Sequence, residues 1–519
     1  MSAAAPAPAF RAIPDLIREH ARSQPRHLAL ALAQGDERFD YAALDALMDR
    51  VAAALQRDGL QPGDAIAICA HSTPRYAAVF LGALRAGVAV APLAPSVTAE
   101  QFGSMLRDSQ ARLLFADAAA APLLPGVRLR TVALNPTLQA EALDDWLVAP
   151  GSTPTAVELQ PAMPFNIIYS SGTTGAPKGI VQPHGMRWAH VMRGLAYGYG
   201  PDTVTLLSTP LYSNTTLVVF FPTLAFGGAV HLCPKFDAAA YLKLAEALRV
   251  THTMLVPVQY QRLMARPDFD AHDLKSFRMK FCTSAPFNAA LKADVLKRWP
   301  GGLVEFYGMT EGGGSCILNA HEHPDKLHTV GRPANGSDVR LIDEAGREVP
   351  PGEAGEVVGR SAGMMSGYHG QPEKTREVEW FDAEGRRYIR TGDIGRFDAD
   401  GFLILFDRRK DMIISGGFNI YPSDLEGVLR GHAAVADVAV VGVPSVEWGE
   451  TPVAYVVLQP GHGTSETELR DWCNARVGKT QRLHAVHLID ELPRSHIGKV
   501  LKRELRDRHV AGNATSSPA

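Results

Sequence analysis

The chain has 519 residues, 46% of them hydrophobic and 21% charged, with a formal net charge of -3. That composition supports two or more domains around a large buried core and excludes a disordered or fibrous protein. No chain-wide basic field exists to steer it onto nucleic acid or anionic lipid, so a small molecule is the expected partner.

The opening MSAAAPAPAF has neither a basic region nor a continuous apolar run, and Pro6 and Pro8 interrupt it; it reads as a loose tail rather than a targeting segment. From Leu44 to Leu55 apolar residues recur at helical spacing, with Gly59 placed to end the helix. AIAIC from Ala65 predicts a buried strand, Arg75 to Arg85 a helix, and VAVAPL from Val88 a second strand. That β-α-β order favours a parallel sheet. The rhythm returns in VTLLSTPL, DAAAYLKLAEALRV and THTMLVP, which predicts a large layered α/β domain. The apolar run Leu217 to Val230 is broken by Pro222, Gly227 and Gly228 and is too short to span a bilayer, so no transmembrane segment is expected.

Near residue 400 the texture changes. DADGFLILFDRRKDMIISGG holds a hairpin signal, a strand, a charged knot and a Gly-Gly pair. Beyond it VADVAVVGV, TPVAYVVL and AVHLIDEL read as strands, and DLEGVLR and ETELRDWCNARV as helices, which predicts a smaller α+β domain. The expected division is 1–409, 410–508 and a disordered tail over 509–519. The five cysteines form no CxxC pair, so neither a disulfide framework nor a zinc cluster is suggested and a reducing, cytoplasmic setting fits. HEHPDKLH (His321 to His328) and His184 raise a metal question, but no cysteine or helical H-x-x-x-H accompanies them.

YSSGTTGAPKGIVQPH, from Tyr169 to His184, is rich in glycine and hydroxyls. It is not a Walker A loop, since Pro177 stands where the second glycine belongs and Gly179 where a Ser or Thr would ligate magnesium. Gly172 and Gly175 would let the backbone approach an anion, with hydroxyls from Ser170, Ser171, Thr173 and Thr174 and a charge from Lys178. A flexible link between two apolar segments has the same composition.

Five motifs decide between these readings: YSSGTTGAPKG, YGMTE (Tyr307 to Glu311), RTGD (Arg390 to Asp393), DRRKDMIISGGFNIYPSDLE (Asp407 to Glu426) and PRSHIGKVLKREL (Pro493 to Leu505). In order and approximate spacing, from about residue 10 to 507, the chain resembles the adenylate-forming superfamily of acyl-CoA synthetases, nonribosomal adenylation domains and luciferases. The resemblance implies a two-step reaction using ATP, Mg2+ and CoA. A small carboxylic acid becomes acyl-AMP with release of pyrophosphate, and a thiol then displaces AMP.

By that resemblance the phosphate loop, Ser170 to Gly175 with Lys178, grips ATP. Thr310 meets the α-phosphate, Glu311 binds magnesium and Tyr307 stacks on adenine. Asp393 would accept the ribose hydroxyls, Arg408 would support ribose and phosphate, and Asn419 lies near the nucleotide. Lys499 would reach the α-phosphate during adenylation, Lys410 would be the hinge of a rotating C-terminal domain, and Ser415, Gly416 and Gly417 would line the CoA arm. Without the resemblance Glu311 reads as a surface acid, Tyr307 as a core residue and Lys499 as a solvated lysine of a charged tail.

Tyr212, Ser213, Ser284, Gly308 and Met309 are the candidate acyl pocket, a mostly small set of mixed polarity. Ser213 stands where many relatives carry histidine, CTSAPF replaces a glycine- and alanine-rich wall, and Asp407 precedes Arg408 where glycine is usual. The expected activity is an AMP-forming carboxylate–CoA ligase for an aliphatic or aromatic acid. Two alternatives stand beside it, loading of a carrier-protein pantetheine and a non-catalytic nucleotide- or acyl-binding module. The oligomeric state is left open, a homodimer included.

Overall fold

AIAIC forms the strand Ala65–Cys69, buried along its whole length. Ile66 and Ile68 enter one core with Val90, Phe115 and Phe165, while Ala65, Ala67 and Cys69 enter another with Phe102 and Met105. A strand apolar on both faces suits a parallel sheet covered on both sides. Thr73 then caps the helix Pro74–Arg85 by accepting from Tyr76 N, and Pro74 supplies the preset φ of a first turn. The strand Ala89–Leu93 follows, parallel to the first with Ala65 opposite Ala89, as the β-α-β pattern predicts.

The computed structural model describes residues 9–170, 178–408, 411–415, 418–445, 448–478, 481–495 and 499–514. The chain falls into two compact units, Met1–Val339 with Gly359–Ile389, and Arg340–Val358 with Arg390–Ala519.

The first unit is built on an eight-stranded and a nine-stranded sheet. The eight-stranded one carries the parallel run through Ala65–Cys69 and Ala89–Leu93 to Pro164–Ser170, followed by the antiparallel strands Lys178–Pro183 and, at the edge, Gly367–Tyr368. The nine-stranded one carries Val204–Leu207, His252–Leu255, Met279–Cys282 and Gly302–Tyr307 in parallel. One buried cluster holds residues of both sheets, Ile68 and Phe165 from one and Leu207 and Val304 from the other. The helices Tyr41–Arg57, Pro74–Arg85 and Asn214–Ala225 contribute Leu44, Tyr76 and Phe220 to it. The run Leu217 to Val230 is thus a buried helix and the start of the strand Ala229–Leu232. Among the described residues no helix is long and apolar enough to cross a membrane.

In the second unit the hairpin expected around Gly401 forms, with Phe397 opposite Leu403 and Asp398 Oδ1 accepting from the Asp400 and Phe402 amides. Val435–Ser445 and Gly449–Leu458 make a long antiparallel pair, and Ala485–Leu488 joins it in parallel. Val438 and Val440 face one apolar cluster, and Ala439 and Val441 the other. Only the first half of AVHLIDEL is strand. The last helix, Lys502–Ala514, runs into the segment 509–519 where a disordered tail was expected. Leu505 anchors it in the core, and extending an established helix is far easier than starting one.

Lys292, buried on the helix Ala289–Arg298, pairs with buried Glu305 at 2.5 Å and donates to the carbonyls of Leu327 and Thr329. Burial raises the Glu305 pKa, and the lysine opposes that rise. Removing one member strands a charge, whereas replacing both by apolar groups is close to neutral. Lys292→Met is expected to lower stability by about 3–5 kcal/mol, and K292M/E305L to recover most of it, read as Tm against the parent.

Candidate active site

The hairpin Pro164–Ser170 with Lys178–Pro183 sets Ser170 opposite Lys178, and the short strand Gly367–Tyr368 pairs with its outer side. The loop between them, with the candidates Ser171, Gly172, Thr173, Thr174 and Gly175, lies outside the described residues, as does the Ser170 side chain. Both ends of the loop are therefore held by one β-ladder. Lys178 Nζ stands 4.9 Å from the centre of the Tyr368 ring, a cation on an aromatic face. The Tyr368 hydroxyl donates to Glu311 Oε1 at 2.9 Å, and burial, with the adjacent carboxylate, raises its pKa. Tyr368 thus stands between Lys178 of the first motif and Glu311 of the second. Its segment is fixed by backbone bonds, from Met365 N to Glu311 O (2.8 Å), Ser366 N to Val181 O (2.9 Å) and His369 N to Gly179 O (2.7 Å). Sequence reasoning missed Tyr368; the available signal was an aromatic set between turn glycines in GYHG.

Thr310 is held from behind. Its carbonyl accepts from Gln182 Nε2 at 2.6 Å, and Gln182 Oε1 accepts from Arg187. Arg187 is fully buried on the helix His184–Arg193, donating to Asn166 Oδ1 at 3.2 Å and lying over Phe165 and Phe221. Burial pushes its pKa down to about 9. Gly312 follows Glu311 at φ +74°, where a Cβ would collide with the Gly363 carbonyl oxygen, so the turn after Glu311 needs glycine.

Tyr307 ends the strand Gly302–Tyr307, opposite Cys316. Met309 packs on the cluster of Ile180, Met365 and Tyr368, and a Cβ on Gly308 would meet Ser315 Oγ at 3.2 Å. Ser213 is the N-cap of the helix Asn214–Ala225 but makes no side-chain cap bond. Burial raises the Tyr212 pKa, with Cys69 adding to the rise and a Ser96 hydrogen bond opposing it. Ser284 has φ +82° and shares a hydroxyl hydrogen bond with Thr215, which joins the wall CTSAPF to that same helix. A narrow crevice with a cavity volume of about 10 Å3, room for about one water, is lined by His190, Arg193, Tyr199, Val218, Phe281 and Phe306 among others. The five expected pocket residues do not line it.

In the second unit Gly392 has φ +72° inside the strand Arg387–Phe397, and Asp393 N donates to Thr391 Oγ1 at 3.0 Å. Thr391 Oγ1 donates in turn to Val357 O at 2.9 Å, and Arg390 pairs with Glu356. Asp393 stands opposite Arg408 in the ladder. The Arg408 and Asn419 side chains, and Lys410, Gly416 and Gly417, lie outside the described residues. Ser415 closes the strand Ile413–Ser415, opposite Gly449 and Phe418. Lys499 is not on a helix; its amide donates to Ser495 Oγ at 3.2 Å and its carbonyl accepts from Ser495 N at 2.8 Å. That reciprocal pair closes a small loop and presents the lysine at its base. Among the described residues no group of three His, Cys, Asp or Glu could hold a metal ion. His184 packs edge-on to Phe165, and His321 donates to Leu303 O.

The family model described as "AMP-binding enzyme" matches residues 17–369, and "AMP-binding enzyme C-terminal domain" matches 424–499. The chain belongs to the AMP-binding enzyme family. It is 35% identical over 496 residues to feruloyl-CoA synthase of Amycolatopsis sp, covering 94% of this chain and 97% of that one. It is 31% identical over 508 residues to the fatty acid–[acyl-carrier-protein] ligase ScoC of Streptomyces coeruleorubidus, covering 95% and 96%. The structure of the amide bond synthetase McbA from Marinactinospora thermotolerans superposes with a TM-score of 0.85 at 29% identity, covering 96% of this chain and 99% of that one. The large α/β architecture with a smaller C-terminal part is that of adenylate-forming enzymes.

In this AMP-binding enzyme the residues brought together in the first unit are Lys178, Thr310, Glu311 and Tyr368. A carboxylate whose one oxygen is fixed by a phenol keeps the other for a hard cation, and carboxylate oxygen suits magnesium. Tyr368→Phe keeps the ring under Lys178 and removes the donor to Glu311. It is expected to lower kcat/KM for ATP about tenfold, the loss of one hydrogen bond to a charged group, and to raise the magnesium concentration at half-maximal rate. A titration of pyrophosphate release against Mg2+ reads both.

Proposed function

We propose that the chain is an AMP-forming acid–thiol ligase, joining a carboxylic acid to CoA through an acyl adenylate. The observation that carries this reading is the meeting of Lys178, Tyr368, Glu311 and the Gln182-held Thr310 at the ends of two motifs that lie far apart in sequence. Attack of one anion on another needs neutralised charge and fixed alignment. The loop Ser170 to Gly175 and Lys178 neutralise the β- and γ-phosphates, Thr310 aligns the α-phosphate, and Tyr307 stacks on adenine. Magnesium, which Glu311 would hold, supplies positive charge to the phosphate oxygens. Asp393, aimed by the kink at Gly392, accepts the ribose hydroxyls, with Arg408 and Asn419 beside it.

Lys499 directs its ammonium to the α-phosphate and acyl oxygens during adenylation, and the closed loop at Ser495 supports that use. The C-terminal segment 410–508 then turns about Lys410, withdraws Lys499 and brings Ser415, Gly416 and Gly417 to the site. A side-chain-poor backbone leaves room for the pantetheine arm. Four of the five cysteines are free and buried, which suits a reducing cytoplasmic setting. A second reading, transfer to a carrier-protein pantetheine, is favoured by the similarity to ScoC, whose name gives an acyl-carrier protein as acceptor.

Lys499→Ala is expected to remove adenylation, measured as acid-dependent pyrophosphate release, and to spare thioester formation from supplied acyl-AMP. Equal loss of both steps would overturn the assigned division of labour. Mass spectrometry of products from ATP, Mg2+, CoA and a pool of aliphatic and aromatic acids tests the whole reading. An acyl-CoA with AMP is the expected result, and acyl-AMP without thioester would move the assignment to a carrier protein.

A further inference from the structure

Tyr169 and Gly179 stand next to the two ends of the phosphate loop and face each other in the ladder of Pro164–Ser170 with Lys178–Pro183. Successive residues of a strand point to opposite faces. Lys178 and Ile180 turn to the face covered by Tyr368, while Tyr169 and Val181 pack on the apolar cluster of Phe102, Met105 and Ile167. On that second face stands Asp108, the last residue of the helix Ala99–Asp108. Its Oδ2 accepts from the Tyr169 hydroxyl at 2.8 Å, its Oδ1 from Gln371 Nε2 at 3.0 Å, and its carbonyl from His369 Nδ1 at 2.7 Å. Burial, reinforced by Asp108 itself, raises the Tyr169 pKa, so the phenol remains a donor.

Asp108 therefore joins the base of the loop to the segment that carries Tyr368. His369 and Gln371 belong to that segment, and His369 N also donates to Gly179 O at 2.7 Å. There is no room for a side chain at Gly179, where a Cβ would lie 2.7 Å from Asp108 Oδ2 and 2.9 Å from Ile167 Cγ2. The last glycine of YSSGTTGAPKG thus admits the carboxylate. A satisfied network whose members come from separate parts of the chain fixes one arrangement of them. A loop whose base is already fixed loses less entropy when it closes on a phosphate chain.

Resting on the ligase reading above, we propose that Asp108 is a positioning residue for MgATP. From the face opposite that of Lys178 it fixes the base of the phosphate loop, and through His369 and Gln371 it fixes the segment that sets Tyr368 against Glu311.

The test uses the full chain and measures calorimetric binding of MgATP without acid, then pyrophosphate release with the acid that the product survey identifies. D108A is expected to weaken MgATP binding and raise the KM for ATP about tenfold, the loss of hydrogen bonds to a charged group, while the KM for the acid stays within about twofold. D108N is expected to retain most of the affinity. It keeps an acceptor for Tyr169, and Gln371, whose Oε1 has no partner among the described residues, can turn to accept from the new amide. Because Asp108 and Tyr368 act on one segment, D108A with Y368F is expected to cost clearly less than the product of the two single losses. Unchanged MgATP affinity in D108A, or equal rises in both KM values with a lower Tm, would make the acid structural and overturn the inference. So would a D108N as impaired as D108A, or a double loss equal to the product. If D108A does not fold, Y169F, which removes a single hydroxyl, decides on the same readouts, with a rise of about threefold expected in the KM for ATP alone. If MgATP binds but no acid is adenylated, the ligase reading falls and the binding series still decides this one.

Discussion

The hydrogen bond from Gln182 to the Thr310 carbonyl is the constraint on which the first unit's site depends. It ties the strand Lys178–Pro183 to the turn that carries Thr310 and Glu311. Gln182 can make that bond only because its own oxygen is held by Arg187, and Arg187 is held by Asn166 on the neighbouring strand. Gln182, Arg187 and Asn166 are all fully buried. In such surroundings a satisfied polar network fixes one arrangement, and a broken one leaves unpaired groups that no water can reach. Arg187 also has no carboxylate partner among the described residues, and its charge is offset by amide oxygens and by the faces of Phe165 and Phe221.

Tyr368 adds a second tie across the same gap. One ring serves a cation on its face and an anion at its hydroxyl, so opposite charges are held near each other without collapsing into an ion pair. A direct Lys178–Glu311 pair would neutralise both groups. Separation by an aromatic plate keeps each charge available.

Other features are local solutions to the same need for fixed geometry. Gly312 and Gly392 adopt positive φ immediately beside Glu311 and Asp393, so in each motif a glycine sets the direction of the acid next to it. Ser284 takes a comparable backbone angle without glycine's freedom and is held by its bond to Thr215. The loop closed by Ser495 and Lys499 serves the same end in the second unit.

Much of this was legible in the sequence. The continuous apolar run AIAIC and the order of strands and helices pointed to parallel sheets, because a strand buried on both faces needs apolar residues at every position. The five motifs gave Lys178, Thr310, Glu311, Asp393 and Lys499 as residues of one chemistry, since glycines and charges at fixed spacing are needed wherever a backbone approaches phosphate. The last helix was misjudged beyond residue 508 because its polar composition hides the anchor that Leu505 provides. Gln182 carries no sequence mark of function and Tyr368 only the turn glycines of GYHG, because their importance lies in partners far along the chain. Sequence by itself determined the fold class and the family. Tertiary structure alone decided which groups hold Thr310 and Glu311 in place, since a polar group is satisfied or stranded only according to what folding packs around it.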